Sequence, residues 1–434
     1  MTTMSYTQNV DNCLAGSIGS VGLTDSMLEA ALAKSAGALD QLRAWKQEGG
    51  LPLLALPAAR DDLAVLVPVA ARYRDDFDDV VILGTGGSSL GGKSLYALVD
   101  AGWGPPDGAP RLHFMDNVDP HSFATMFAAL DPARTGILSI SKSGGTAETL
   151  SQTLLCLDWL RKSGRTFADH VTVIAEDADS ALRRLAARHG LPALEHDPGV
   201  GGRYAVLSVV GMLPAMIMGL DAIAVREGAA EVLDATLAAE QPRDSAPAVG
   251  AAVSVALATE RNIAATVVMP YVDRLNCFSF WFRQLWAESL GKDGKGTVPI
   301  NAAGTVDQHS QLQLYLGGPN DKMFTLIKGP EGGDALDGSL AEDPSLDYLI
   351  GRSLGNLLNA CEQGTADSLA AKGRPVRIIE VESVDARTMG GLMMHFMLET
   401  IIAAHLLDVN PFDQPEVEDG KHRARRYLEA MVPS

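Results

Sequence analysis

From Val80 onward the chain alternates short apolar runs with helix-length amphipathic stretches. The runs are VVILG at 80–84, LHFMD at 112–116, GILSIS at 136–141 and VTVIAE at 171–176. Runs that are apolar throughout, rather than at every second position, predict strands buried on both faces of a parallel sheet. Between them, Glu148 to Lys162 and Ser180 to His189 carry apolar residues at helical spacing and predict crossover helices that cover the sheet. The stretch QPRDSAPAVG at 241–250 reads as a boundary, after which the pattern starts again. TVVMP at 266–270, FTLIKG at 324–329 and VRIIEVE at 376–382 predict strands, with helices over about 275–290, 352–372 and 388–407. The expected fold class is α/β: two doubly wound parallel sheets in α-β-α sandwiches, with a helical N-terminal segment and a helical C-terminal tail. The expected divisions are 1–75, 76–240, 241–410 and 411–434, and no clear sequence repeat relates the two α/β halves.

The chain has 434 residues, 47% hydrophobic and 21% charged, enough for a sizeable core in two or more domains. Its most apolar stretch, Met389 to Leu407, contains His395, Glu399 and His405, which would be costly at bilayer depth. A buried helix is therefore expected there, with the two histidines in core or helix-packing roles, and no membrane partner. The opening residues MTTMSYTQNVDNCLAGS lack a basic segment followed by an apolar one, so no export signal and a cytoplasmic location are expected. Cys13, Cys156, Cys277 and Cys361 lie far apart without metal-binding spacing, which argues against a disulfide framework or a metal site and fits a reducing compartment.

A net charge of −19 disfavours nucleic acid and anionic membranes as partners. The same field repels a small phosphorylated ligand. A pocket for one must reverse that field locally with a few cations and backbone N–H groups. Two loops have the composition for this. GTGGSSLGGKS at 84–94 follows a predicted buried strand, so its glycines and the hydroxyls of Ser88 and Ser89 fall at the sheet edge where open α/β sheets bind ligands. A dinucleotide fingerprint fails, because Ser89 stands where its last glycine belongs. A nucleotide P-loop fits Gly87 to Ser94 by letter, with Asp116 as a magnesium ligand, but three residues separate the strand from its first glycine. SKSGGTAET at 141–149 repeats the arrangement after the next strand. It offers Ser141, Ser143 and Thr146 as donors, with Thr146 placed to cap the following helix. Two such loops favour one phosphate cradle over two isolated turns.

GTGGSSLG followed by SKSGGTAET resembles the paired phosphate loops of sugar isomerase domains. GGRYAVLSVVG at 201–211, QLWAESLGK at 284–292, GTVDQHSQLQLYLGGP at 304–319 and FDQPEVEDGK at 412–421 narrow the resemblance to the glucose-6-phosphate isomerase family, in the family's order. That resemblance implies reversible aldose-ketose isomerisation through an enediol, in a cofactor-free and metal-free enzyme. It makes Ser88, Ser141, Ser143 and Thr146 the phosphate-binding hydroxyls, with Lys142 nearby. Glu288 would be the base, Arg203 would stabilise the enediolate, His309 and Lys421 would serve ring opening, and Gln284 and Gln414 would contact the sugar. His309 would come from a neighbouring subunit, which implies a homodimer with shared sites. Gly145, Leu290 and Asp419 depart from the commonest family letters without removing a group the chemistry needs.

One carboxylate suits the reaction, because the proton leaves one carbon and returns to its neighbour. A guanidinium keeps its charge and supplies fixed donors to an oxyanion, and a histidine can move protons near neutral pH. Read alone, the same residues have blander roles: a surface salt bridge for Arg203, a Lys292 partner for Glu288, a structural role for His309, and a solvated charged face for Lys421 in KHRARR. The cradle does not read the configuration at C2, so a dual glucose/mannose 6-phosphate isomerase is an alternative. A non-catalytic sugar-phosphate-binding regulator is another.

Overall fold

The computed structural model describes residues 4–100, 102–340 and 343–431. Ten strands form two five-stranded sheets. In chain order they are β1 (Tyr6–Asn9), β2 (Asp79–Leu83), β3 (Arg111–Met115), β4 (Thr135–Ile140), β5 (Val171–Ala175), β6 (Ala193–Glu195), β7 (Ala265–Pro270), β8 (Val298–Asn301), β9 (Lys322–Lys328) and β10 (Val376–Val381).

The first sheet has the order β3-β2-β4-β5-β6 and is parallel throughout. The chain runs outward to β3, then crosses back over β2 to β4, so the winding reverses between β2 and β4. A crevice for ligands opens at the carboxyl ends of such a pair. Every residue of β4, β5 and β7 is buried, as continuous apolar runs predict. The second sheet, β1-β10-β9-β7-β8, repeats this winding through its four parallel strands, with its reversal between β7 and β9.

Three strands depart from the sequence reading. β1 lies in the segment expected to be helical and joins the second sheet antiparallel to β10. Its polar residues Thr7, Gln8 and Asn9 hide it from an apolar-run criterion. β6 is three residues long, and β8 (VPIN) carries a proline, so neither shows the expected pattern. The stretch 241–250 is not wholly a connection, because the helix Ala246–Arg261 begins inside it, capped by Ser245.

Helices bind the two sheets into one body. Asp25–Glu48 is capped by Thr24, whose hydroxyl accepts from the Met27 N–H, and ends at Gly49 in the left-handed conformation. Ala386–Leu407, the stretch long and apolar enough to span a bilayer, is buried inside the protein. It crosses Ala222–Ala238 at reciprocal glycines. A Cβ on Gly390 would stand 1.8 Å from the Val225 carbonyl oxygen, and one on Gly228 would stand 1.8 Å from that of Arg387. The backbones touch there, and no side chain fits between them.

His395 takes the core role expected of it. It is fully buried, meets the Tyr6 hydroxyl at 2.7 Å and the Glu399 carboxylate at 2.9 Å, and Arg377 closes the network on Glu399 at 2.7 Å. Burial raises the Glu399 carboxyl, but Arg377 and His395 outweigh it and hold the group below its usual range. Burial keeps His395 neutral by pushing its pKa down.

Candidate active site

The loop after β2 turns at Gly86, whose φ of +58° lies in the left-handed region. Its glycines allow close approach on two sides. A Cβ on Gly87 would fall 2.2 Å from the Gly202 carbonyl carbon, and one on Gly86 would fall 2.8 Å from the Gln284 amide nitrogen. Gly84 packs against the Ile140 carbonyl, which brings the half-buried Ser88 loop beside the end of β4, where the second loop starts.

In the second loop Gly144 takes φ +61°, and the Ser141 hydroxyl donates to Thr146 Oγ1 at 3.0 Å. Thr146 stands at the N-cap of the helix Ala147–Lys162, as expected, but its hydroxyl does not cap it. The N–H groups of residues 146–149 are left without an acceptor among the described residues. The hydroxyls of Ser143 and Thr146 donate to no group among the described residues, and with the uncapped helix start beside them they leave donors free for an anion. Lys142 departs from the expected phosphate contact: its ammonium donates to the Pro198 carbonyl at 2.9 Å and lies 3.6 Å from Glu176. This ties the second loop to the segment leading into Arg203.

Arg203 is buried, with 3% of its surface exposed, and is not the surface salt bridge its local sequence favours. All five of its N–H groups have acceptors. Nε donates to Ser289 Oγ at 2.9 Å. Nη1 donates to Glu288 Oε2 at 3.0 Å and Gln414 Oε1 at 2.7 Å. Nη2 donates to the carbonyls of Pro411 at 2.6 Å and Asp413 at 2.9 Å. Residues more than two hundred positions apart thus meet on one guanidinium. The Tyr204 hydroxyl joins Ser289 at 3.0 Å, and burial pushes this phenol up, keeping it neutral.

Glu288 lies in the helix Asn276–Leu290, a third exposed, and its other oxygen accepts from Gln284 Nε2 at 3.0 Å. The opposite end of that amide, Gln284 Oε1, is buried without a partner among the described residues. A ligand hydroxyl would satisfy it. Lys292 is not the partner of Glu288 that helical spacing suggests. It turns to the Ser289 carbonyl at 3.0 Å, the Asn410 carbonyl, and Asp413 at 3.1 Å.

Two expected residues are not brought to this cluster within the chain. His309 is exposed, directly after the short helical turn Val306–Gln308. Lys421 lies on Val417–Ala430, a helix with no buried residue, and pairs with Glu418 at 2.7 Å. The P-loop alternative loses its lysine, because Lys93 pairs with Asp116 at 2.5 Å, and Ser89 also donates to Asp116 at 3.3 Å. Sequence reasoning missed Ser289, Tyr204 and the carbonyls of Pro411 and Asp413. Only Ser289 left a signal, as the neighbour of Glu288.

The family model described as phosphoglucose isomerase matches residues 72–320. A glucose-6-phosphate isomerase of Rubrobacter xylanophilus is 39% identical over 374 residues, covering 84% of this chain and 86% of that one. One from Thermus thermophilus is 36% identical, covering 82% and 86% of the two chains. Among solved structures, a hypothetical protein of Thermus thermophilus superposes with a TM-score of 0.84 at 32% identity, over 98% of this chain and 99% of that one. A glucose-6-phosphate isomerase of Chlamydia trachomatis shares the fold with the same TM-score at 21% identity, over 99% and 89% of the two chains.

Proposed function

The chain belongs to the phosphoglucose isomerase family and interconverts glucose 6-phosphate and fructose 6-phosphate; we propose that it does so at the cluster around Arg203. The observation that carries this assignment is the buried guanidinium held 3.0 Å from a carboxylate one third exposed, with an unpartnered amide oxygen beside them.

The acceptor-free N–H groups of residues 146–149 and the glycine loop after β2 support a phosphate cradle, with Ser88, Ser141, Ser143 and Thr146 as its hydroxyls. Lys142 acts there from behind, by bracing the second loop on Pro198. Phosphate binding supplies remote energy that holds the reacting carbons in place. Glu288 removes the proton from C2 of the open-chain aldose. As negative charge grows on the oxygens, Glu288 swings toward carbon, and the Nη1 donor of Arg203 that it leaves passes to the enediolate. Return of the proton to C1, with the O2 hydroxyl proton passing to O1, gives the ketose. One carbon is oxidised and its neighbour reduced within the same molecule, so the electrons balance without a redox partner.

Gln284 and Gln414 hold sugar hydroxyls. Ring opening falls to Lys421 and to His309 of a second copy in a cytoplasmic homodimer. The exposure of His309 between the exposed apolar side chains of Val306 and Leu314 supports such a contact face. We also assign the parallel strands of the two sheets to two sugar isomerase domains, 76–240 and 241–410, with β1 added to the second from the N-terminal segment and 411–434 reaching back into the site.

The test is isomerisation of fructose 6-phosphate in D2O. Deuterium at C2 of the glucose 6-phosphate is the expected result, because the base exchanges with solvent. Product wholly free of solvent deuterium, combined with full activity of the Arg203→Met protein, would contradict the proposal.

A further inference from the structure

The segment Asp408–Gln414 leaves the long helix Ala386–Leu407, passes over the active-site arginine and leads into the exposed helix that carries Lys421. It begins at Asp408 in the left-handed conformation, and its side chains brace it both on itself and on its neighbours. Asn410 accepts from the Phe412 N–H at 3.0 Å and donates to Asp413 at 3.0 Å, while the Phe412 ring packs on Trp45 and Tyr204. What fastens the strap is its backbone. The carbonyls of Leu407 and Asp408 accept from Lys295, that of Asn410 from Lys292, and those of Pro411 and Asp413 from Arg203. Three cations therefore hold one stretch of carbonyls.

Lys292 is the middle fastening. Its side chain is one tenth exposed, and its ammonium bridges the last turn of the Glu288 helix, at the Ser289 carbonyl, to Asn410 and Asp413 of the strap. A cavity of about 600 Å³ lies alongside, lined by Gly291–Lys295 on one side and Asn410, Asp413, Pro415 and Glu416 on the other. Lys292 joins the two walls of that cavity through Asn410 and Asp413, while Lys295 holds the start of the strap beside it.

Resting on the assignment of Glu288 and Arg203 above, we propose that Lys292 is a positioning residue of the isomerase reaction. It fixes the strap relative to the base-bearing helix, and so sets the position of Gln414 and the donors that Arg203 keeps for the enediolate. Without it the strap shifts into the adjoining cavity. Arg203 then follows its Pro411 and Asp413 acceptors, and the guanidinium moves relative to Glu288. The phosphate loops share no hydrogen bond with Lys292, whose partners are Ser289, Asn410 and Asp413, so substrate anchoring is spared. Displacements of about 1 Å in such a site cost on the order of 100-fold in rate.

The test compares Lys292→Met and Lys292→Arg with the wild type, measuring kcat, KM, thermal midpoint and the affinity of sorbitol 6-phosphate, which carries the phosphate arm but no carbonyl. Lys292→Met should lower kcat by about 10- to 100-fold, leave sorbitol 6-phosphate affinity within about threefold, and regain most of the loss in Lys292→Arg, which can still donate to carbonyls. Unchanged kcat in Lys292→Met overturns the proposal. So does a parallel loss of analogue affinity, or an arginine variant no better than methionine, since either marks a general structural role. If Lys292→Met does not fold, Asp413→Ala removes the charged partner from the strap side. It should lower kcat with analogue affinity retained, and unchanged kcat there also overturns the proposal. Normal turnover by Glu288→Gln would instead sink the underlying assignment, whatever the Lys292 variants show.

Discussion

At the scale of single residues, the site works by leaving some donors free and committing others. Thr146 occupies a cap position, but its hydroxyl oxygen accepts from Ser141 instead of from the helix, so the helix start behind it stays available to a dianion. Replacing both Ser141 and Thr146 with alanine should weaken sorbitol 6-phosphate binding by about 10- to 100-fold, since hydrogen bonds to charged groups are worth roughly 1.5–3 kcal/mol. Titration calorimetry would read this, and unchanged affinity would remove these hydroxyls from the cradle. Arg203 is the opposite case, fully committed to Ser289, Glu288, Gln414, Pro411 and Asp413. Arg203→Lys keeps the charge but cannot reach five acceptors. Its kcat should fall on the order of 10²–10³-fold with analogue binding little changed. The local segment GGRY shows none of this, because the acceptors of Arg203 come from positions 288–289 and 411–414. Only the family resemblance marked the arginine out.

At the scale of elements, the long parallel strands and the helices between them were legible because burial on both faces writes an unbroken apolar run. β1, β6 and β8 were not. They sit at sheet edges, where one partner strand is enough and polar residues or a proline are tolerated. The two sheets wind alike, yet their switch points differ. The first opens onto glycine loops. At the second, Gly329 packs against Val272, and Tyr271, Glu362 and Thr365 are buried with polar atoms lacking partners among the described residues. Burial raises the Glu362 carboxyl to about 7, so in the folded protein it stays protonated at mildly acidic pH, where a free glutamate is ionised. A folded-state pKa above the unfolded value of 4.5 means that stability is greatest below that value and falls as pH rises to about 7, then levels off. Glu362→Gln should therefore be more stable than wild type at pH 8, by on the order of 1–3 kcal/mol, and indistinguishable near pH 4. A constant difference across that window, measured by denaturant titration, would rule out Glu362 as its source. The crossing of Ala222–Ala238 with Ala386–Leu407 makes a second prediction. Gly390→Ala must push the helices apart at Val225 and should cost about 1–3 kcal/mol in the same assay.

At the scale of the whole molecule, a chain of net charge −19 gathers an anionic substrate by concentrating backbone donors and a buried guanidinium where the loops of the first sheet meet the helix Asn276–Leu290. The sequence carried the loops and the base to this point. It could not carry Lys292, whose strap partners Asn410 and Asp413 lie more than a hundred residues away, nor show that Lys421 stands outside the cluster in a single chain, as the resemblance had implied for His309 alone. The proposed dimer supplies His309, and mixing two inactive proteins tests it. Glu288→Gln and His309→Gln subunits, reassorted at random, give half heterodimers with one intact site of two. About a quarter of wild-type activity should return, and none would return if each chain completed its own site. The central claim is met most directly by one comparison: fructose 6-phosphate to glucose 6-phosphate conversion by wild-type and Glu288→Gln protein, with EDTA present and a coupled dehydrogenase reporting product. The account predicts robust turnover by the wild type and a loss of about 10²–10⁴-fold in the variant, with sorbitol 6-phosphate still bound. An inactive wild-type protein, or a Glu288→Gln protein that turns over normally, would contradict it.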